Sequence, residues 1–260
     1  MKIVVVSPHR DDAALSLGLS VEDWLTAGHT VQILNCFTQS AYAPYSDAES
    51  LHPNDRMSFV SATRRREDIA WNKMLGNRLR ITDLDLLDAP LRLACNVDDV
   101  LTLELRPGDR AVARVAGAIA KLARAGHAIV LPLGIGAHID HRVTRQAGVN
   151  ALLEQPFAVA FYEDLPYVAR NHGDSDLDMA VQSLDPAPQP FFVEPAAIDP
   201  SSRVVRKVQM VQCYDSQIDS VVAQNVASFC LRYGGRERLW VSETWQALFD
   251  MDKPTGVSAE

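Results

Sequence analysis

Short unbroken runs of β-branched and apolar residues alternate with longer mixed stretches over the first 165 residues. Ile3-Val4-Val5-Val6 opens the chain as a strand with no polar face, the kind that parallel sheets bury on both sides. Helical patterning follows over 13–27 and stops at Gly28, a natural helix-ending residue. The next apolar run, 31–37, predicts a second strand. Residues 57–75 predict a helix ending at Gly76, and a third strand falls within 81–87. An alanine- and valine-rich helix over 109–125 ends at Gly126. A fourth strand follows at 128–131, then a helix over 141–153 and a fifth strand over 157–162. Strand and helix in alternation are the mark of βαβ units, so the pattern predicts an α/β fold with a parallel sheet and helices on both faces.

Beyond residue 165 the pattern loosens. The stretch 171–200 is rich in Asp and Pro and reads as mostly loop, 201–232 reads as helical, and 251–260 reads as a flexible tail. No linker divides residues 1–250, which are expected to form one domain. Two long non-periodic stretches, 38–55 and 171–200, follow strand ends, where α/β sheets bind their ligands, and are expected to be binding loops or lids.

Composition narrows the function. The 260 residues are 47% hydrophobic and carry a net charge of -8, which fits a large core and excludes a surface built for nucleic-acid phosphates. Four scattered cysteines suggest neither a disulfide framework nor a cysteine zinc knuckle. With no apolar span and no signal-peptide pattern at the start, a cytoplasmic location without a transmembrane segment is expected; nothing speaks against a homo-oligomer.

The first chemical constellation is Ser7-Pro8-His9-Arg10-Asp11-Asp12, on the turn after strand one. His9 and Asp12 are three apart and can converge on one cation, leaving Asp11 free as a base. Helix capping explains one of these aspartates but not the histidine beside them. The second constellation, His138-Ile139-Asp140-His141, follows strand four and opens a helix, so His138 and His141 can share a face. Imidazoles and a carboxylate make a catalytic zinc site. In the common strand order 3-2-1-4-5, strands one and four are neighbours at the point where the winding reverses, so the two clusters meet in the ligand crevice. The fragment Gly134-Ile135-Gly136 lacks the third glycine of a dinucleotide fingerprint, which weakens a nucleotide-binding module, and no GxSxG elbow supports a serine hydrolase.

Pro8-His9-Arg10-Asp11-Asp12 paired with His138-Ile139-Asp140-His141 resembles the PHxDD and HxDH motifs of the LmbE-like, or PIG-L, N-acetylglucosaminyl deacetylases. Arg64-Arg65-Arg66-Glu67-Asp68 with Leu75-Gly76 resembles that family's RxxE…LG helix. Tyr162-Glu163-Asp164-Leu165-Pro166-Tyr167 and Tyr214-Asp215-Ser216-Gln217 are similar to later family features, so the resemblance runs from residue 3 to about 220. It implies a single-domain, Rossmann-like three-layer α/β/α fold and a Zn²⁺-dependent hydrolase that removes an N-acyl, by default N-acetyl, group from an amino sugar or glycoconjugate. It implies that His9, Asp12 and His141 hold the zinc, with Asp11 as general base. His138 would sit by the substrate carbonyl as its electrostatic partner or proton donor, and Asp140 would orient a neighbouring histidine. Arg64 matches the substrate-contacting arginine, though Arg65 or Arg66 can take that place, and Asp88 is a further sugar contact. Two departures stand out: Ala13 where many members carry glutamate, and Arg10, which either meets an anionic part of the substrate or points to solvent. An amidase acting on another sugar conjugate would carry the same residues.

Overall fold

The computed structural model describes residues 1–251 apart from 124–126, 171 and 196–197. In chain order the elements are β1 (Lys2–Ser7), α1 (Asp12–Thr26), β2 (Thr30–Asn35), α2 (Pro53–Met74), β3 (Arg80–Asp83), α3 (Ala89–Leu93), α4 (Arg110–Leu122), β4 (His127–Pro132), α5 (Ile139–Glu154) and β5 (Ala158–Tyr162). They continue with α6 (Gly173–Gln182), β6 (Gln189–Phe192), α7 (Pro200–Val211), α8 (Ser220–Ser228), β7 (Arg238–Val241) and α9 (Glu243–Met251). The seven strands form one sheet in the order β3-β2-β1-β4-β5-β7-β6. The first five are parallel, and β7 runs antiparallel to both β5 and β6.

The β-branched run of β1 explains its central place. Val4 and Val6 face one buried cluster with Val115 and Ile119 of α4 and Val143 and Ala147 of α5. Ile3 and Val5 face the other, with Leu17 and Trp24 of α1, Trp71 of α2, Met210 of α7 and Trp245 of α9. A strand between two helical layers has no solvent face, so no polar alternation is tolerated. The pairing of β1 with β2 and β4 is that of the expected 3-2-1-4-5 order, and it sets the ends of β1 and β4 side by side.

The irregular regions depart from expectation in part. Residues 171–200 are not mostly loop: they hold α6 and strand β6, which pairs Gln189 with Val241 of β7. Residues 201–232 are mostly helical, as expected, in two helices, α7 and α8, parted by a turn through Asp215 and Ser216. Trp24, Trp71 and Trp245 are buried in the core, whereas Trp240 on β7 is only partly covered. The expected end of the helix at 109–125 with Gly126 falls partly on 124–126, and the tail beyond 251 likewise lies outside the described residues. Among the described residues no helix is long and apolar enough to cross a membrane.

Candidate metal centre and its cleft

The turn after β1 is closed by its own side chains. Ser7 Oγ donates to the His9 carbonyl at 2.5 Å and accepts from the Ala13 amide at 3.1 Å. The His9 amide donates to Asp12 Oδ2 at 2.7 Å, so the Asp12 carboxylate is fixed where α1 begins. Across the crevice, His138 is the residue that caps α5 rather than part of its first turn, its Nδ1 accepting from the Asp140 amide at 3.2 Å. The rings of His9, His138 and His141 lie 4.9–5.4 Å apart in pairs.

Ligand-type atoms of His9, Asp12 and His141 all fall within 4.8 Å of one another. His9 Nδ1 is 3.3 Å from Asp12 Oδ2, and His141 Nε2 is 3.3 Å from Asp12 Oδ1. Donors at zinc bond lengths near 2.1 Å would be spaced by roughly 3.4 Å along a tetrahedral edge. His141 Nε2 is moreover buried without a hydrogen-bond partner. Its other nitrogen, Nδ1, faces Asp164 Oδ1 at 2.6 Å, so a neutral ring would carry its proton there and offer the Nε2 lone pair to a metal. His9 Nε2 faces Asp140 Oδ2 at 3.3 Å in the same manner, leaving Nδ1 turned to Asp12. The donor set therefore fits a divalent metal.

A second triple, His9, His138 and Asp140, meets the same distance test. The Asp140 carboxylate is already occupied, accepting from the Ala89 amide at 2.8 Å and from Arg92 Nη2 at 2.8 Å. It also faces His9 Nε2 at 3.3 Å and is not a free ligand. Electrostatics agree that the centre favours a cation. Burial would lower the His9 imidazole, but Asp12 and Asp140 outweigh it and push the pKa up to about 9. Burial would raise Asp12, but His141 and His9 hold it well below the usual carboxylate range. His138 goes the other way: burial, with His9 and His141 nearby, pulls it well below its ordinary value, so it is neutral at pH 7.

The centre lies in a cleft of about 440 Å³ that also reaches Asp11, Arg64 and Asp88. Asp11 Oδ1 accepts from Arg64 Nη2 at 2.6 Å. Asp88 is buried and caps α3 through the Leu91 amide at 3.3 Å. Arg10 does not belong here. It neither lines the cleft nor meets solvent: it is 3% exposed and is held by Asp68 at 2.5 Å and Asp83 at 2.6 Å behind the site. A buried guanidinium needs such carboxylates, and these two sit 58 and 73 residues further along the chain. Arg65 is mostly exposed and reaches Asp83 at the rim of that cluster.

Three contributors had no assigned role in the sequence. Asp164 stands just after β5, where a carboxylate at a strand end is the available signal. Arg92 has none, since its partner Asp140 is 48 residues away. Tyr167 packs its ring 5.3 Å from His141, edge-on, and a Cβ on Gly136 would lie 2.4 Å from that ring. Gly136 also has φ +82, so both the contact and the backbone require glycine there.

A mostly parallel α/β sheet with a histidine–carboxylate centre at the ends of two adjacent central strands defines a class, the α/β enzymes with a metal-type site in the switch-point crevice. The family model described as PIG-L, GlcNAc-PI de-N-acetylase, matches residues 4–152, more than half of the chain. The chain belongs to this family and is by class a deacetylase. It is 28% identical over 243 residues to a 2'-N-acetylparomamine deacetylase of Streptomyces fradiae, covering 94% of this chain and 82% of that protein. The crystal structure of the A40926 pseudoaglycone deacetylase Dbv21 is similar, with 27% identity, a TM-score of 0.59 and coverage of 92% and 96%. A deacetylase in the biosynthesis pathway of teicoplanin shares the fold, with 24% identity, a TM-score of 0.64 and coverage of 94% and 99%.

Proposed function

We propose that the chain is a zinc-dependent hydrolase that removes an N-acyl group, by default acetyl, from an amino sugar carried free or in a small glycoconjugate. The observation that carries this is the convergence of His9, Asp12 and His141 within 4.8 Å, each of the two imidazoles fixed by a second carboxylate, with Asp11 in the same cleft. The names of the relatives, deacetylases of N-acetylparomamine and of the A40926 pseudoaglycone, support the substrate class.

Zinc held by those three residues supplies Lewis-acid polarisation of a carbonyl and brings the pKa of water toward ~7. Asp11, held in place by Arg64, accepts the proton of the attacking water and returns one to the leaving nitrogen. His138 receives a hydrogen bond on Nδ1 from the Asp140 amide, so its ring proton lies on Nε2. Neutral His138 is therefore a hydrogen-bond donor for the oxyanion that develops on the acyl carbonyl, and it needs no protonation to act. Asp88 lines the same cleft and is a hydrogen-bond acceptor for a sugar hydroxyl.

The test is metal content by elemental analysis, followed by acetate release from N-acetylated amino sugars. About one zinc per chain is expected, with turnover lost to a chelator and restored by zinc. A protein that takes up no metal, or releases acetate equally with chelator present, would end this reading.

A further inference from the structure

The cleft is not uniformly polar. Val97 and Leu101, from the 3-10 turn Val97–Leu101, line it together with Ile218 just before α8, Val222 in the first turn of α8, and Tyr42 and Tyr45 on the loop after β2. Leu101, Ile218 and Val222 are rooted in the hydrophobic core but only partly covered by it. Tyr42, Tyr45 and Val97 are 43%, 53% and 38% exposed. Few charges interrupt this wall. Asp98 and Arg170 line the same cleft, with Arg170 lying over the Tyr167 ring at 4.9 Å. The Tyr45 hydroxyl is engaged by Asp219 at 3.1 Å, which leaves its ring as the free part. Apolar surface continuous with a concave polar site is where a ligand buries its own apolar part. An unsubstituted amino sugar, polar around its whole edge, would leave that wall in contact with water.

We propose that this wall is a subsite for an apolar substituent, alkyl or aryl, carried by the amino sugar either on its glycosidic oxygen or as a longer N-acyl chain. The proposal builds on the deacetylase reading for the sugar and the amide, while the apolar contact itself is measurable without turnover. Each buried methylene is worth roughly a fourfold gain in affinity, so covering two or three of them gives more than tenfold.

Three paired comparisons test it. Heptyl and methyl glycosides of N-acetylglucosamine are compared by kcat/KM of acetate release. The methyl glycosides bearing N-octanoyl and N-acetyl are compared by amine release. Heptyl and methyl glycosides of glucosamine, which have no amide, are compared by calorimetric binding to the zinc-loaded protein. The expected result is at least a tenfold preference for the apolar member in the glycoside pair or the acyl pair, and the pair that shows it identifies the attachment. That ratio should fall toward one in Val97→Asp and Ile218→Asp, and a ratio read within one preparation is insensitive to the fraction folded. Ratios near one in every pair, with acetate still released, overturn the subsite and leave the deacetylase standing. A tenfold preference that both variants retain overturns the assignment to this wall. Tighter binding of the heptyl glucosamine glycoside with no acetate released from any substrate keeps the subsite and removes the deacetylase.

Discussion

At the floor of the cleft most of these side chains are gripped by another: His9 by Asp140, His141 by Asp164, Asp11 by Arg64, and Asp140 in turn by Arg92. At the mouth the ties are sparser and more exposed. Tyr45 meets Asp219 through one exposed hydrogen bond, and Gln217 Nε2 donates to the Tyr42 carbonyl at 3.4 Å. The floor rises from strand ends whose backbones are locked into the sheet, whereas the mouth is made of connections between elements. Geometry has to be exact within tenths of an ångström where bonds change, and only adaptable where a substituent is covered. Substitutions at the floor should therefore cost rate or metal, and substitutions at the mouth should change preference.

The sharpest contrast comes from Asp11→Asn, which keeps the shape and the contact to Arg64 but removes the base. We expect kcat to fall by roughly 10²–10⁴ with bound metal unchanged by elemental analysis. Retained turnover would take the base role from Asp11.

Glu67 joins the two regions. Its Oε1 accepts from the Ser216 amide at 2.9 Å, on the turn that leads to the mouth, while Oε2 is buried without a partner. Burial pushes its carboxyl from the ordinary 4.5 up to about 7, and the Ser216 bonds and Arg64 offset only part of that. The folded pKa is the higher one, so this stabilisation is fully present below about pH 4.5 and lost as pH rises through about 7. Glu67→Gln, which stays neutral, should gain about 3 kcal/mol on the wild type between pH 4.5 and pH 8 in paired denaturant titrations. A difference that does not change with pH would show that Glu67 is ionised throughout.

The same division governs what could be read in the chain. Ile3 to Val6, the fourth strand and the two histidine motifs are local patterns, and adjacency of β1 and β4 is a rule of winding that brings His9 and His141 together. Strand β6 escaped because Gln189-Pro190-Phe191-Phe192 becomes a strand only by pairing with β7, about fifty residues further on. Arg10 was misplaced for a related reason. A guanidinium three residues past a strand end looks free until α2 and β3 bring Asp68 and Asp83 against it. Asp164 lay within a readable motif, but its role depends on where His141 points.

Two further substitutions sharpen the account of the floor. Asp164→Asn keeps an acceptor for His141 Nδ1 but removes its charge, and metal affinity should fall 10–100-fold in chelator competition. Unchanged affinity would mean that Asp164 serves the fold alone. Arg64→Met separates two jobs. If Arg64 holds Asp11, kcat falls about tenfold and KM hardly moves; if it grips the sugar, KM rises and kcat is kept. The 2.6 Å contact favours the first outcome.

The smallest effect belongs to the mouth. Tyr45→Phe deletes one exposed hydrogen bond, to Asp219, and leaves the ring and its apolar contact in place. Such a water-exposed bond is weak, so kcat/KM should drop by no more than about fivefold, with metal content and kcat on a methyl glycoside unmoved. Tyr45→Ala removes the ring as well and should lower the preference for a heptyl over a methyl glycoside, while Tyr45→Phe leaves that ratio alone. If instead the phenylalanine variant lost turnover to the extent that Asp11→Asn does, the loop after β2 would be part of the catalytic frame. The division between a gripped floor and an adaptable mouth would then fail at its most exposed contact.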